Sequence, residues 1–378
     1  MTASGNGFYA VDARNLSVVL GGRKVLDVPS LKVNPNEVLV IIGPNGSGKS
    51  TLLLSLALLL KPRTGSVAYG GRVIAANDEI LRLHRRLALV LQEPVLLNSS
   101  VWENITLGLK LRGIKKAEAE KRTDKWMERF GIAHLAKRQA RLLSGGEAKR
   151  VSLARAFVLE PEVLFLDEPF NALDSPTRQA LLEDFESVLR ETRVTTVMVT
   201  HDRDEAMMLG DRVAVLMGGS IRQIGTPGEV FGSPSDEEIA RFVEAGNILN
   251  GFVSEQNNGL AVIDIGKVKI QAVSDVAAGR RVALYLHYDD ITIIVPSGQP
   301  SPSSARNQLT GKVVGMFPFA SQMKITLDCG FNIASVITRR SCEELGLEKG
   351  REIIASFKAS AVHIILNAES DDGKHILP

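Results

Sequence analysis

The chain of 378 residues has little cysteine and no long apolar run. Its two cysteines, Cys329 and Cys342, form no CxxC pattern, so neither a disulfide framework nor a zinc site is expected. The apolar stretch 52–60 is interrupted by Ser55, whereas a membrane-spanning helix needs ~20 apolar residues. The first seven residues lack the basic and apolar regions of a secretory signal. These absences predict a chain without membrane spans that works in a reducing cytosol.

Neither sign of charge dominates the composition. Lysine and arginine number 45, aspartate and glutamate number 43, and the net charge is +2. A protein held to nucleic acid by bulk charge is therefore not expected. Hydrophobic residues make up 44% and charged residues 23%, which is typical of folded globular proteins. The length predicts two or three domains.

A continuously apolar run at 38–42 predicts a strand buried on both faces, and it leads directly into a glycine-rich loop. The loop and the start of the following helix read Gly43-Pro44-Asn45-Gly46-Ser47-Gly48-Lys49-Ser50-Thr51. This is a P-loop, in which glycines let backbone N–H groups converge on phosphate oxygens. Lys49 is then expected at the β- and γ-phosphates, and the Ser50 hydroxyl at Mg²⁺.

A second buried strand, Val163–Leu166, ends in a pair of carboxylates. Asp167 fits the residue that holds the water shell of Mg²⁺ in P-loop enzymes. Glu168 is placed to polarise a water molecule aimed at the γ-phosphate. His201 follows a third strand, 194–200, and becomes a candidate sensor of the γ-phosphate because either ring nitrogen can donate. Strands that alternate with helical stretches in this way predict a mostly parallel sheet.

The motif set resembles that of ATP-binding cassette (ABC) ATPases over about residues 10–235. It includes the P-loop, the carboxylate strand and His201, together with Gln92 in Leu91-Gln92-Glu93-Pro94, the signature Leu143–Glu147 and the D-loop Ala172-Leu173-Asp174. Three places depart from the family pattern. Leu20 stands where an aromatic residue usually stacks on adenine, and Asn36 stands where glycine is common. Glu147 replaces the more frequent glutamine of the signature.

The resemblance implies a head-to-tail homodimer that binds two ATP molecules. Each ATP would be held by the P-loop of one copy and by Ser144, Gly145 and Gly146 of the other, with Asp174 close to the nucleotide. It further implies that Gln92 acts with Glu168 and His201 in catalysis and joins Ser50 and Asp167 at Mg²⁺. The implied partners are transmembrane permease subunits, docked near 102–105, and an external binding protein, with the chain at the cytoplasmic face of the cell membrane.

After Asn247 the residue pattern changes to one that predicts short strands and turns, and an internal repeat is visible. The pattern Asn247-x-Leu249-x-Gly251-x-Val253 returns as Asn307-x-Leu309-x-Gly311-x-Val313, on either side of a Pro/Ser-rich linker at 296–304. The predicted fold is thus an α/β P-loop ABC ATPase domain, 1–240, with a helical subdomain at about 93–160. A C-terminal all-β domain of OB-like or MOP type, 241–378, follows as two modules at about 246–296 and 304–366.

The second module resembles the molybdate-binding (MOP) type of small β-barrel domain over about 303–366. The resemblance implies a site for molybdate or tungstate, to which donors and positive charge would come from Ser304, Arg306, Asn307, Lys358 and Ser360. The first module has acidic residues at 285–290 and is expected to be mainly structural. A C-terminal domain that only braces the dimer is the alternative.

The main interpretation is the ATP-hydrolysing subunit of a molybdate or tungstate importer, with oxyanion feedback at the C-terminal domain. An importer subunit for another solute, such as a polyamine, a sugar or iron(III), is the first alternative. A soluble protein that senses or stores oxyanions is the second, and the Asp167–Glu168 pair argues against it because binding alone needs no hydrolytic carboxylate.

Overall fold

The computed structural model describes residues 8–243, 246–296, 303–319 and 322–366. Residues 297–302 of the predicted linker therefore lie outside the described residues. The chain forms two compact units, Met1–Pro227 and Gly228–Pro378, each with its own hydrophobic core. The predicted limits of the functional domains, with a boundary at residue 240, stay predictions.

The first unit contains strands and helices in the alternation that the sequence predicts. Its strands are β1 Val11–Leu20, β2 Arg23–Val33, β3 Val38–Ile42, β4 Thr64–Tyr69, β5 Arg72–Val73, β6 Leu87–Val90, β7 Val163–Asp167, β8 Thr195–Thr200, β9 Arg212–Met217 and β10 Ser220–Gly225. Its helices are α1 Lys49–Leu56, α2 Asn77–His84, α3 Val101–Leu111, α4 Lys116–Arg129, α5 Gly145–Phe157, α6 Ser175–Thr192 and α7 Arg203–Leu209.

The central sheet of this unit has the strand order β10-β9-β3-β8-β7-β6. Neighbours from β9 to β6 run parallel, and β10 pairs antiparallel with β9. Every residue of β3 and of β7 is buried, as expected for strands covered on both faces. Because β3, β8 and β7 are adjacent and parallel, the loops that follow them meet at one edge of the sheet. The predicted α/β fold is confirmed.

A helical region formed by α3, α4 and α5 is inserted between β6 and β7. Its core contains the rings of Trp126, Phe130 and Phe157, whose centroids lie 5.0–6.1 Å apart. The charged residues of α4 lie on the opposite, solvated face of the helix. A separate antiparallel sheet, β2-β1-β4-β5, packs its apolar residues into the same core as β3.

Asn36, at the turn before β3, has a φ of 62°. This left-handed conformation costs glycine nothing and is tolerated best by asparagine among the other residues. The departure from the family pattern at this position is therefore a compatible turn variant.

The second unit is rich in antiparallel strands, as the sequence predicts. Its elements are α8 Pro227–Gly232, α9 Glu237–Val243, β11 Gly246–Asn257, β12 Leu260–Ile265, β13 Val268–Val273, β14 Arg281–His287, β15 Thr292–Ile294, β16 Asn307–Phe319, β17 Gln322–Asp328, β18 Asn332–Thr338, α10 Arg339–Glu344, β19 Glu352–Phe357 and β20 Val362–Leu366. Among the described residues of both units, no helix is long and apolar enough to cross a membrane.

The two repeated modules exchange their last strands. The sheets have the orders β13-β12-β11-β14-β20 and β15-β19-β16-β17-β18. Thus β20, the end of the second module, pairs with β14 of the first, and β15, the end of the first, pairs with β19 of the second. The modules are therefore interleaved, whereas the repeat in the sequence suggests two units lying side by side.

The repeated asparagines tie the modules together. The buried amide of Asn247 donates to the backbone O of Ala334 at 2.8 Å and accepts from its N–H at 2.6 Å. Asn307 makes the equivalent pair with the backbone of Gln271, at 2.9 and 2.8 Å. Each module thus satisfies a backbone donor and acceptor on a strand of the other, which explains why asparagine recurs at this place in the repeat.

Candidate functional site

The P-loop connects β3 to α1 and allows no side chain at two of its glycines. A Cβ atom on Gly43 would lie 2.1 Å from the backbone O of Leu216 in β9. Gly48 has a φ of 100° and caps the N-terminus of α1, and a Cβ there would lie 2.7 Å from Leu26. The loop therefore wraps tightly over the sheet edge and brings its N–H groups to the positive end of the helix dipole.

Lys49 is the first residue of α1 and only 6% exposed. Its Nζ donates to the backbone O of Gly43 at 2.8 Å and of Pro44 at 3.1 Å. Burial lowers the pKa of the lysine, and the nearby carboxylates of Glu168 and Asp167 oppose that shift. An ammonium that is buried against neutral carbonyl oxygens favours a nearby anion, as a nucleotide phosphate would supply.

Asp167 and Ser50 form a small oxygen cluster beside the lysine. The Ser50 hydroxyl donates to Oδ1 of Asp167 at 3.0 Å, and burial raises the pKa of this carboxyl. Gln92 lines the same cleft. Oxygen donors from a hydroxyl, a carboxylate and an amide suit Mg²⁺, which prefers such ligands and completes its shell with water and phosphate oxygens. Within the described ranges, no group of three or more His, Cys, Asp and Glu side chains forms a metal site alone.

Glu168 lies at the end of β7 with its side chain held in place from two sides. Its Oε2 accepts from Nδ2 of Asn171 at 2.9 Å and lies 3.1 Å from Nδ1 of His201. The Glu168 side chain is 12% exposed and the His201 side chain 49%. The carboxylate is therefore shielded and fixed, while the histidine remains accessible to a ligand in the cleft.

The cleft around the P-loop has a volume of about 710 Å³. Its lining brings together most of the predicted nucleotide-binding residues, namely Asn45, Gly46, Gly48, Lys49, Ser50, Thr51, Gln92, Glu168 and His201. It adds Val25 and Asn171, which the sequence reasoning did not select. Leu20, which stands where the family has an aromatic residue for adenine stacking, is 44% exposed. The apolar residue in the lining of the cleft is instead Val25. The roles of all these residues stay predictions.

The signature segment forms a second helix N-terminus, at α5. Ser144 caps the helix by accepting from the N–H of Glu147 at 3.3 Å, and Glu147 accepts from the Ser144 N–H at 2.7 Å. This capping box explains why a glutamate is accepted at this position of the signature. The bond from the Ser144 N–H lowers the pKa of Glu147. Ser144 and Gly145 are exposed, so this N-terminus is accessible from solvent.

Asp174 caps α6 by accepting from the N–H of Thr177 at 3.0 Å. That bond lowers the pKa of Asp174. Thr177 also lies against the signature, because a Cβ on Gly146 would be 2.7 Å from its Cγ2. The D-loop and the signature segment of one chain therefore pack against each other.

Two buried charged residues near the cleft were missed by the sequence reasoning. Lys149 of α5 is 5% exposed, and its Nζ donates to the backbone O of Gln92. Glu205 of α7 is 3% exposed, and its Oε2 accepts from the Thr200 hydroxyl at 2.6 Å. In the sequence, each lies in a helix with ordinary charged neighbours, so no local signal marks it as buried.

The C-terminal unit brings four of the five predicted oxyanion residues to one end of a sheet. Asn307 of β16 is paired with Phe357 of β19, so the flanking residues Arg306 and Lys358 are neighbours one position beyond that pair. Ser304 precedes Arg306, and Ser360 lies in a short 3₁₀ turn after Lys358. All four are exposed, whereas Asn307 is 3% exposed.

The amide of Asn307 does not fit the expectation that it would donate to an anion. Both its oxygen and its nitrogen are hydrogen-bonded to the backbone of Gln271. The interleaving of the modules, which the sequence could not reveal, commits this side chain to the fold. A proposal for oxyanion binding therefore rests on the other four residues.

Two family models match the chain. The model described as ABC transporter matches residues 26–171, and the model described as TOBE domain matches residues 303–364. The first match spans the P-loop, the signature segment and the carboxylate pair. The second spans the sheet end that carries the predicted oxyanion residues.

Several known proteins are similar to the chain. The molybdate/tungstate import ATP-binding protein WtpC of Pyrococcus horikoshii is 36% identical over 89% of this chain and 94% of its own length. The Fe(3+) ions import ATP-binding protein FbpC of Streptomyces avermitilis is 39% identical over 63% of this chain and 68% of its own. The solved structure of CbiO1 from Clostridium perfringens, part of the ABC transporter complex cbiONQ, has a TM-score of 0.56 and 31% identity, covering 63% of this chain and 95% of that one.

We expect the folded chain to lose stability as the pH rises from about 4.5 to about 7 because of Glu205. Burial raises the pKa of Glu205 from 4.5 to about 7, partly offset by the Thr200 hydroxyl, Arg178 and His201 and increased by Asp202. In this interval the unfolded chain releases the proton while the folded chain keeps it, so stability falls as the pH rises. The shift corresponds to about 3 kcal/mol.

The substitution Glu205→Gln removes the ionisable group and keeps an acceptor for Thr200. Urea unfolding of the first unit at pH 5, 6, 7 and 8 should show a smaller loss of stability with rising pH in the variant than in the wild type. Parallel pH profiles for the two proteins would contradict the assignment. Substitution of the exposed Glu183, also on a helix of this unit, to Gln is the control.

Proposed function

Because the chain belongs to the ATP-binding proteins of ABC importers, we propose that two copies of it bind and hydrolyse two ATP molecules between them, beside a membrane permease. The observation that carries the proposal is the meeting of Lys49, Asp167, Glu168 and His201 at one sheet edge. These groups provide a phosphate-binding cation, oxygen ligands and a fixed carboxylate within one cleft. That set suits in-line attack of water on a γ-phosphate.

Each residue has a defined part in the reaction. Lys49 and the N–H groups of the P-loop bind the β- and γ-phosphates and stabilise the charge that develops on their oxygens. Ser50, Asp167 and Gln92 would hold Mg²⁺, which would neutralise phosphate charge when bound. Glu168, held by Asn171 and His201, orients and polarises the attacking water. His201 donates to the γ-phosphate from its exposed side.

The second phosphate-binding end, Ser144–Gly146, serves the nucleotide of the partner copy. Its support is that α5 has an exposed, capped N-terminus, whereas the cleft of the same chain is already lined by the P-loop and Glu168. Each ATP is thus bound by one helix end from each of the two copies, so ATP joins the copies and hydrolysis releases them. The dimer would lie at the cytoplasmic face of the membrane, with the permease near 102–105 and an external binding protein delivering the solute.

The transported solute is molybdate or tungstate. Support comes from the relative WtpC, which matches the chain across both units, while the match to the iron importer covers about two thirds of it. Arg306 and Lys358 flank the Asn307–Phe357 pair at the end of the β16–β19 ladder, and Ser304 and Ser360 each lie two residues from them in the chain. Two positive charges and two hydroxyls suit a tetrahedral dianion. Bound oxyanion there would restrain the ATPase when the solute has accumulated.

The substitution Glu168→Gln should abolish turnover and leave nucleotide binding intact. Gln keeps the size and the contact with Asn171 but cannot accept a proton from water, so kcat should fall at least about a hundredfold. ATP should still join two copies, as measured by sedimentation of the purified chain with ATP and Mg²⁺. Hydrolysis within threefold of wild type would exclude Glu168 from the reaction.

Calorimetry of the full chain with molybdate and with tungstate tests the solute. Both anions should bind, sulfate should bind more weakly, and Lys358→Ala should weaken molybdate binding at least about tenfold because it removes one of two adjacent charges. Lys312→Ala is the matched control, since Lys312 is an exposed lysine on β16, in the same sheet. No binding of either oxyanion by the wild type would favour a bracing C-terminal unit and an importer of another solute.

A further inference from the structure

The lysine at position 149 has a buried charge that none of the proposed steps uses. Its Nζ donates to the backbone O of Gln92 and lies 3.5 Å from the backbone O of Glu168. Burial lowers its pKa, while the carboxylates of Glu168, Glu205, Asp167 and Glu93 favour the charged form. A buried ammonium with carbonyl partners on two different loops connects those loops mechanically.

The first of these loops is the segment 91–100, between β6 and α3. It has no helix or strand, and its backbone is held by side chains from the neighbouring helices. From α5, Lys149 reaches Gln92, and Arg155 donates to the backbone O of Val95 at 2.7 Å. From α3, the buried Asn104 pairs with the backbone of Leu97. The segment is therefore held to α5 through two of its backbone oxygens, those of Gln92 and Val95.

The second loop begins at Glu168, whose backbone has an unusual conformation. Its φ is 42°, in the left-handed region that residues with a side chain rarely adopt. The Glu168 N–H is held by the backbone O of Val199 at 2.9 Å, and its carbonyl faces Lys149. These two contacts fix the peptide planes on both sides of the Glu168 Cα, and with them the direction of the carboxylate.

We propose that Lys149 is a positioning residue that couples the segment at Gln92 to the carboxylate of Glu168. A displacement of that segment, or of the signature helix α5, shifts the ammonium and turns the Glu168 peptide. The carboxylate then gains or loses the direction that suits attack on the γ-phosphate. The inference rests on the proposed function of Glu168 in ATP hydrolysis, and it adds a route by which hydrolysis depends on the loop.

The experiment compares Lys149→Met, Lys149→Arg and the control Lys116→Met in the full chain. Lys116 is 89% exposed and belongs to the same helical region. For each variant, kcat is measured by phosphate release, and the Kd for ATP is measured by equilibrium binding. Lys149→Met should lower kcat about tenfold or more and change the Kd for ATP less than threefold. Lys149→Arg, which keeps a charged donor, should recover part of kcat, and Lys116→Met should match the wild type.

Retained ATP binding shows that the Met variant is folded, so its loss of kcat reports on positioning. Two outcomes overturn the inference: a kcat within twofold of wild type, or parallel losses of kcat and ATP affinity that Lys149→Arg does not relieve. If the Glu168→Gln protein hydrolyses ATP as fast as the wild type, the proposed function is overturned and the inference with it. The result for Glu168→Gln therefore distinguishes a failure of the proposed function from a failure of the inference alone.

Discussion

The whole site depends on one constraint, the burial of the Lys49 ammonium against neutral carbonyl oxygens. The lysine can lie there only because the P-loop folds closely over the sheet, where Gly43 and Gly48 leave no room for side chains. A charge so placed favours an anion nearby, and the N-terminus of α1 directs the same preference to the same point. The adjacent parallel strands β3, β7 and β8 then deliver the carboxylates and the histidine to that point.

The N-terminus of α5 is a second helix end that the chain presents to solvent. Ser144 and Glu147 satisfy the backbone at the start of α5 and leave Gly145 exposed. The buried side chain of Lys149 in α5 meanwhile reaches both the segment at Gln92 and the peptide of Glu168. One helix therefore connects the surface proposed to face the partner's nucleotide with two other places. These are the segment 91–100, which leads into the proposed permease contact at 102–105, and the carboxylate proposed to activate water. Such an arrangement suits an enzyme whose rate of ATP hydrolysis depends on the subunits that contact it.

The fold of the first unit and the position of the P-loop could be predicted from the sequence because their signals are local. A strand buried on both faces, a glycine loop with fixed steric demands and a helix follow one another in the chain, so the P-loop is readable without tertiary information. Lys149 and Glu205 could not be predicted, because their burial arises from helices that pack over distant loops. The exchange of β15 and β20 was likewise invisible: a repeat shows that two modules are related, but not which strand pairs with which. That exchange also commits the Asn307 amide to Gln271, which the module in isolation would have left available.

The claim that a triphosphate is held by two different copies of the chain is tested most directly by complementation. Lys49→Ala damages the P-loop and Ser144→Arg blocks the signature end, so each variant alone should be inactive. In a mixed dimer, one of the two composite sites combines an intact P-loop with an intact signature end. ATP hydrolysis that reappears on mixing the two inactive proteins is the predicted result. Mixtures that stay inactive, or a Ser144→Arg protein that is fully active alone, would contradict a site shared between copies.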